Sequence, residues 1–252
     1  MAKLRFIVTF VLLILLSKTP VLSQEIGLEQ IIEKVKVRQS RIEQDIEDAV
    51  FSAEALYKEW EKDGKLKKEL VVKKRVYMRR GGKRYEEYLG MVRNGKELEG
   101  KELNKEVKNW KKRMGKQQET KMPMTKEGEG AYEYYLIGDE VWKGMDVWIV
   151  SFNAKQKKEG YIDGKGYILK DTFDIVRAEF VPAKLSRVIQ DMKMTFTYSE
   201  VQGYWMPAEF QLNMKIKVGF LVNLFYRTIS IEEKYSAYTF NNQLADSLFE
   251  SD

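Results

Sequence analysis

Residues 191–200, DMKMTFTYSE, and residues 207–218, PAEFQLNMKIKV, decide the fold. In the first stretch Met192, Met194, Phe196 and Tyr198 alternate with Lys193, Thr195, Thr197 and Ser199. In the second, Phe210, Leu212, Met214 and Ile216 alternate with Gln211, Asn213, Lys215 and Lys217. A period of two with one apolar and one polar side is the pattern of antiparallel strands that bury one face and hydrate the other.

Working outward, the second half of the chain predicts strands over 131–137, 145–153, 158–162, 166–170, 173–181, 191–200, 207–218 and 222–233. In the first half, 48–58 reads as a strand, and Leu70–Arg79 and Tyr85–Val92 read as a hairpin. Asp63-Gly64, Gly81-Gly82, Asn94-Gly95 and Asp163-Gly164 supply turn chemistry, because glycine accepts the positive φ of tight hairpins. Two segments have a helical period instead. Leu28, Ile31, Ile32 and Val35 predict an amphipathic helix over 26–40, and Leu103, Val107, Trp110 and Met114 a second over 97–116. Residues 117–130 are polar and read as a connector. Too few helices follow strands for a βαβ fold. The expectation is a mainly β, α+β architecture: a curved antiparallel sheet forming an incomplete barrel, with helices on its concave apolar face.

The N-terminus is of another kind. Lys3 and Arg5 precede an apolar run from Phe6 to Leu16, and Val21 and Ser23 stand where a signal peptidase requires small residues. This predicts a signal peptide at 1–23, a single domain over 24–252, and a periplasmic protein. The run is short against the roughly 20 residues that span a bilayer. Cleavage would lower Lys plus Arg from 44 to 41 against 38 Asp plus Glu, so the mature charge is +3 rather than +6. Nucleic acid is therefore not an expected partner.

The chain has neither Cys nor His. That removes Ser-His-Asp and Cys-His nucleophile systems and the common zinc and copper ligand sets. No catalytic residue, metal ligand or cofactor is assigned. The acidic pairs Glu127 and Glu129, Asp139 and Glu140, and Glu232 and Glu233 read as solvated surface charge. A basic cluster lies in the hairpin 65–84: Lys65, Lys67, Lys68, Lys73, Lys74, Arg75, Arg79, Arg80, Lys83 and Arg84. Its expected role is solubility or contact with membrane headgroups. Lys108, Lys111, Lys112 and Arg113 form a smaller cluster on the second helix.

The apolar side of the two alternating strands is rich in methionine, a flexible side chain that adapts to varied apolar shapes. Met192, Met194, Phe196, Tyr198, Phe210, Leu212, Met214 and Ile216, with Trp110 from the second helix, are the candidate lining of a ligand cavity.

Residues 166–181, GYILKDTFDIVRAEFV, carry Gly166, Ile168, Asp171, Val176, Arg177 and Glu179, and 198–208, YSEVQGYWMPA, carry Tyr198, Val201, Gly203, Trp205 and Pro207. With Gly95, Leu98, Glu102 and Gly144, these residues resemble the LolA-like superfamily of bacterial outer-membrane lipoprotein-sorting proteins. Leu169 departs from the aromatic common there. The resemblance implies an incomplete antiparallel barrel lidded by helices, and periplasmic carriage of lipid or of the acyl chains of a lipoprotein. A ligand-free envelope interaction or sensor module of the same fold is the alternative.

Overall fold

A computed structural model describes residues 26–114, 120–220 and 223–250. The signal-peptide expectation lies outside them. Helix α1 (Leu28–Asp45) precedes strands β1 (Asp48–Trp60), β2 (Leu66–Arg79), β3 (Lys83–Arg93) and the short β4 (Lys96–Glu97). Helix α2 (Gly100–Met114) follows. Then come β5 (Tyr132–Trp142), β6 (Met145–Ala154), β7 (Ile162–Leu169), β8 (Ile175–Pro182), β9 (Ile189–Val201), β10 (Tyr204–Phe220) and β11 (Asn223–Phe240). A single 3-10 turn, Asp246–Phe249, comes last.

All eleven strands form one sheet in the order β4-β3-β2-β1-β11-β10-β9-β8-β7-β6-β5, with antiparallel neighbours throughout. The ends do not pair, so the sheet is open, as the alternation predicts. It consists of two meanders, β1–β4 and β5–β11, joined along β1 and β11, where Ala55 lies opposite Glu233 and Tyr57 opposite Ile231.

Each helix covers part of one face. Ile31, Ile32 and Val35 of α1 pack with Val150, Phe152, Ile162, Ile168 and Phe180. Arg38 fixes this helix, its Nε 2.8 Å from the buried Asp174 carboxylate and its Nη2 donating to the Gly203 carbonyl at 3.1 Å. Trp110 of α2 is fully buried among Tyr57, Leu70, Val72, Met91, Leu212 and Ile231. Glu106, on the same side of α2, is 3 % exposed and meets Lys68 at 2.7 Å, Arg113 at 2.9 Å and Arg93 at 3.3 Å. Burial alone would raise its carboxyl pKa. Hydrogen bonds from Lys68 and Arg113 outweigh that and lower it.

One expectation fails. Asp163-Gly164 is not a turn: residues 158–162 and 166–170 do not form two strands, and β7 runs through the dipeptide. Gly164 is required there by proximity, because a Cβ would stand 2.1 Å from the Glu179 carbonyl oxygen on β8. Over its described part, 120–130, the connector holds no helix or strand, and it also adds to the core. Met124 is buried in the α1 core, and its backbone N–H donates to the Tyr134 hydroxyl. Asp63-Gly64, Gly81-Gly82 and Asn94-Gly95 do lie at hairpin turns, with positive φ at each glycine.

Candidate functional site

The alternation of β9 decides where its side chains meet. Phe196 lies opposite Phe210 on β10 and Ala178 on β8. Its ring lies 4.7 Å from that of Phe210 and 6.1 Å from that of Phe180, centre to centre, so an aromatic row crosses three strands. Beside it opens a cavity of about 730 Å³. Ile42 and Ile46 from the end of α1 form one wall. Ala49, Phe51 and Met78, with Met206, Pro207, Tyr235 and Tyr238, form the rest of the apolar lining, and Asp48, Arg79 and Arg84 add charged groups to it. Exposed Glu43, Glu47, Arg80 and Glu127 surround its mouth, with Gly81 and Gly82 of the β2–β3 turn. Two other hollows, about 520 and 550 Å³, are lined chiefly by charged side chains of the β1–β2 turn and of α1. The first of the three is the one with an apolar interior, and its volume falls in the range of small-ligand sites, about 300–1,000 Å³.

The candidate lining residues divide between a filled and a hollow region. Phe196 lines the cavity. Tyr198 is its neighbour, ring centres 6.3 Å apart, and burial pushes the Tyr198 hydroxyl up to about 12. Met192, Met194, Phe210 and Met214 are half-buried against the cluster that contains Trp110 and Leu212. Met194 and Phe196 also touch the α1 core. Ile216 is half-buried and lies opposite Ile189. Helix α2 therefore packs over the Met192–Met214 region, while the Phe196 region borders empty space.

Between these regions lies a charge network absent from the sequence-based expectation. Glu233 is not solvated. It is 4 % exposed, with Lys74 Nζ 2.9 Å from its Oε1, and Tyr235 donates to its other oxygen at 3.1 Å. Lys74, itself 3 % exposed, also donates to Glu86 at 2.8 Å. Arg84 at 2.6 Å and the Tyr88 hydroxyl at 2.7 Å complete the shell of Glu86. The signal lay in the strand phase. Lys74 shares the strand phase of buried Val72 and Val76, and Glu233 that of Ile231 and Tyr235, so both charges occupy core positions. The other five acidic-pair residues are exposed, as expected.

Burial alone would raise Glu86, but the charges of Lys74 and Arg84 prevail and hold it at about 2. Its folded value thus lies below the unfolded value near 4.3. The stability it contributes is complete above that pH and is lost as pH falls toward about 2, by about 3 kcal/mol at most. Urea unfolding at pH 7 and pH 3 checks this: Glu86→Gln will flatten the acid loss, and an unchanged pH dependence would contradict the assignment.

The basic hairpin is largely neutralised from within. Lys67 meets Glu59, Lys68 Glu106, Lys73 Glu54, and Arg79 and Lys83 both reach Asp246. Among the described residues this leaves Lys65 and Arg75 without a carboxylate, while Arg80 donates to the Gln44 carbonyl. Also among the described residues, no group of three or more His, Cys, Asp or Glu could hold a metal ion.

A family model whose description reads "-like: Uncharacterized protein" matches residues 108–252. No curated protein matches the chain. Similar solved structures include a domain from Vibrio parahaemolyticus assigned to outer-membrane lipoprotein sorting, at 14% identity and TM-score 0.44, with 88% of this chain and 97% of that one covered. A DUF1329 family protein from Desulfovibrio piger is similar at 14% identity and TM-score 0.41, covering 89% and 97%. A LolA superfamily protein from Nitrosomonas europaea is similar at 13% identity and TM-score 0.33, covering 89% and 97%.

Proposed function

We infer, for a chain that belongs to the family whose model spans residues 108–252, that the hollow beside Phe196 takes up the apolar part of a lipid or of an acylated protein. The observation that carries this reading is the cavity of about 730 Å³, walled by Ile42, Ile46, Phe51, Met78, Phe196 and Met206. Each buried methylene contributes about 0.8 kcal/mol, so about eight of them supply roughly 6 kcal/mol before entropy is charged. Such binding requires no directed chemistry, and no catalytic step belongs to the proposal. The charged mouth suits an amphiphile whose polar end stays in water. The site of action we assign is the periplasm, on the expectation of a cleaved leader at 1–23. Among the described residues, no helix is long and apolar enough to cross a membrane.

Native mass spectrometry of the purified protein should show co-purified lipid, and a fluorescent fatty acid should bind. Phe196→Asp places a charge against the hollow and should cut uptake at least about tenfold, since an unpaired buried charge costs several kcal/mol. An empty protein that takes up no fatty acid would overturn the reading. It would favour the ligand-free envelope module, whose supporting observation is the packed region around Trp110.

A further inference from the structure

The outer side of α2 carries a second feature. Lys101, Lys105, Lys108 and Lys112 recur at intervals of four, three and four, which places them in one row along the helix. All four are exposed. None has an ion pair or hydrogen bond among the described residues, although most cations of the hairpin 65–84 do. The row is about 16 Å long, from eleven residues at about 1.5 Å each. Its opposite side is fixed to the sheet by Trp110 and by Glu106 with its three cations. The lysines are therefore held in place on a docked helix.

Like charges three and four residues apart repel, so the row is a small local destabilisation that an external anionic surface relieves. The residue type indicates the partner. Lysine is a compact, strongly hydrated point charge without the planar fork that arginine offers to a single carboxylate or phosphate. A straight row of such charges matches a broad anionic plane rather than a threaded segment. We propose that the Lys101–Lys112 side of α2 docks on an anionic lipid bilayer surface. This holds whether or not the Phe196 cavity binds lipid.

The test is sedimentation of the full protein with vesicles of phosphatidylcholine alone and of phosphatidylcholine with about one-third phosphatidylglycerol. The protein should pellet with the anionic vesicles only. It should be released between about 0.1 and 1 M salt, as the screening length falls from about 10 to 3 Å. Replacing all four lysines by Gln retains helix propensity. At about fivefold per lysine, it should lower partitioning about six-hundredfold, with far-UV circular dichroism unchanged. Should that variant fold poorly, K105E alone should lower partitioning by about tenfold or more. The hairpin variant K65Q/R75Q should bind like the parent. Equal binding to neutral vesicles, no binding to anionic ones, a lysine variant that binds unchanged, or loss in the hairpin variant instead would each overturn the proposal. Parent protein that fails to pellet yet takes up fatty acid would leave the cavity reading standing and this one refuted.

Discussion

Lys74→Met will destabilise the protein by about 3–5 kcal/mol in urea unfolding at neutral pH. Lys74 is the shared cation of two carboxylates, Glu233 at 2.9 Å and Glu86 at 2.8 Å, and both it and Glu233 are almost wholly buried. Removing it leaves Glu233 with only the Tyr235 hydroxyl as a donor in a desolvated position. Glu86 keeps Arg84, so the loss is centred on Glu233. The double variant K74M/E233M should recover most of the stability, because an apolar pair of similar volume avoids the desolvation cost of both ions. A single variant as stable as the parent would show that the network is wet, and the core assignment of Lys74 would fall.

The second large effect is expected at Trp110. Trp110→Ala removes a fully buried indole whose ring meets Tyr57 edge-on at 6.2 Å, and should cost about 3–5 kcal/mol. The indole is the main anchor of α2 to the sheet, with Leu103 and Val107 as partly buried neighbours. Its loss should loosen the helix enough for limited proteolysis to cut within 100–114, and should expose Met192 and Met214 beneath. Glu106→Gln should preserve α2 better, since its three cations are partly exposed and find water. If Trp110→Ala unfolds at the parent's urea midpoint, α2 is held by its charges rather than by its indole.

Much of this architecture is legible in the residues. The alternation at 192–198 and 210–216 yields β9 and β10 because a half-buried strand must present opposite faces to oil and water. The four-three spacing of Leu103, Val107 and Trp110 yields α2 for the same reason on a helical period. Other features depend on partners distant in sequence. Gly164 marks a close neighbouring backbone, not a turn, and only the position of β8 distinguishes the two. Charge alone puts Lys74 and Glu233 on the surface, whereas their phase among Val72, Val76, Ile231 and Tyr235 puts them inside. Which part of the apolar face is filled depends on where α2 lies, and strand alternation carries no information on that. Phe196 and Met192 are equivalent in pattern, yet one borders a hollow and the other lies against the Trp110 cluster.

The seam between β1 and β11 has a consequence for how the molecule is made. Strand β1 is interior, and its neighbour on one side is β11, distant in sequence, with Trp60 opposite Thr228 and Ala49 opposite Phe240. A chain still being synthesised must keep that flank of β1 bare until β11 has been made. Closure over so long a loop is slow, so the nascent protein spends its youth as two separate ribbons, each with an open selvedge. Whatever holds the chain apart from its neighbours during that interval must guard β1 above all.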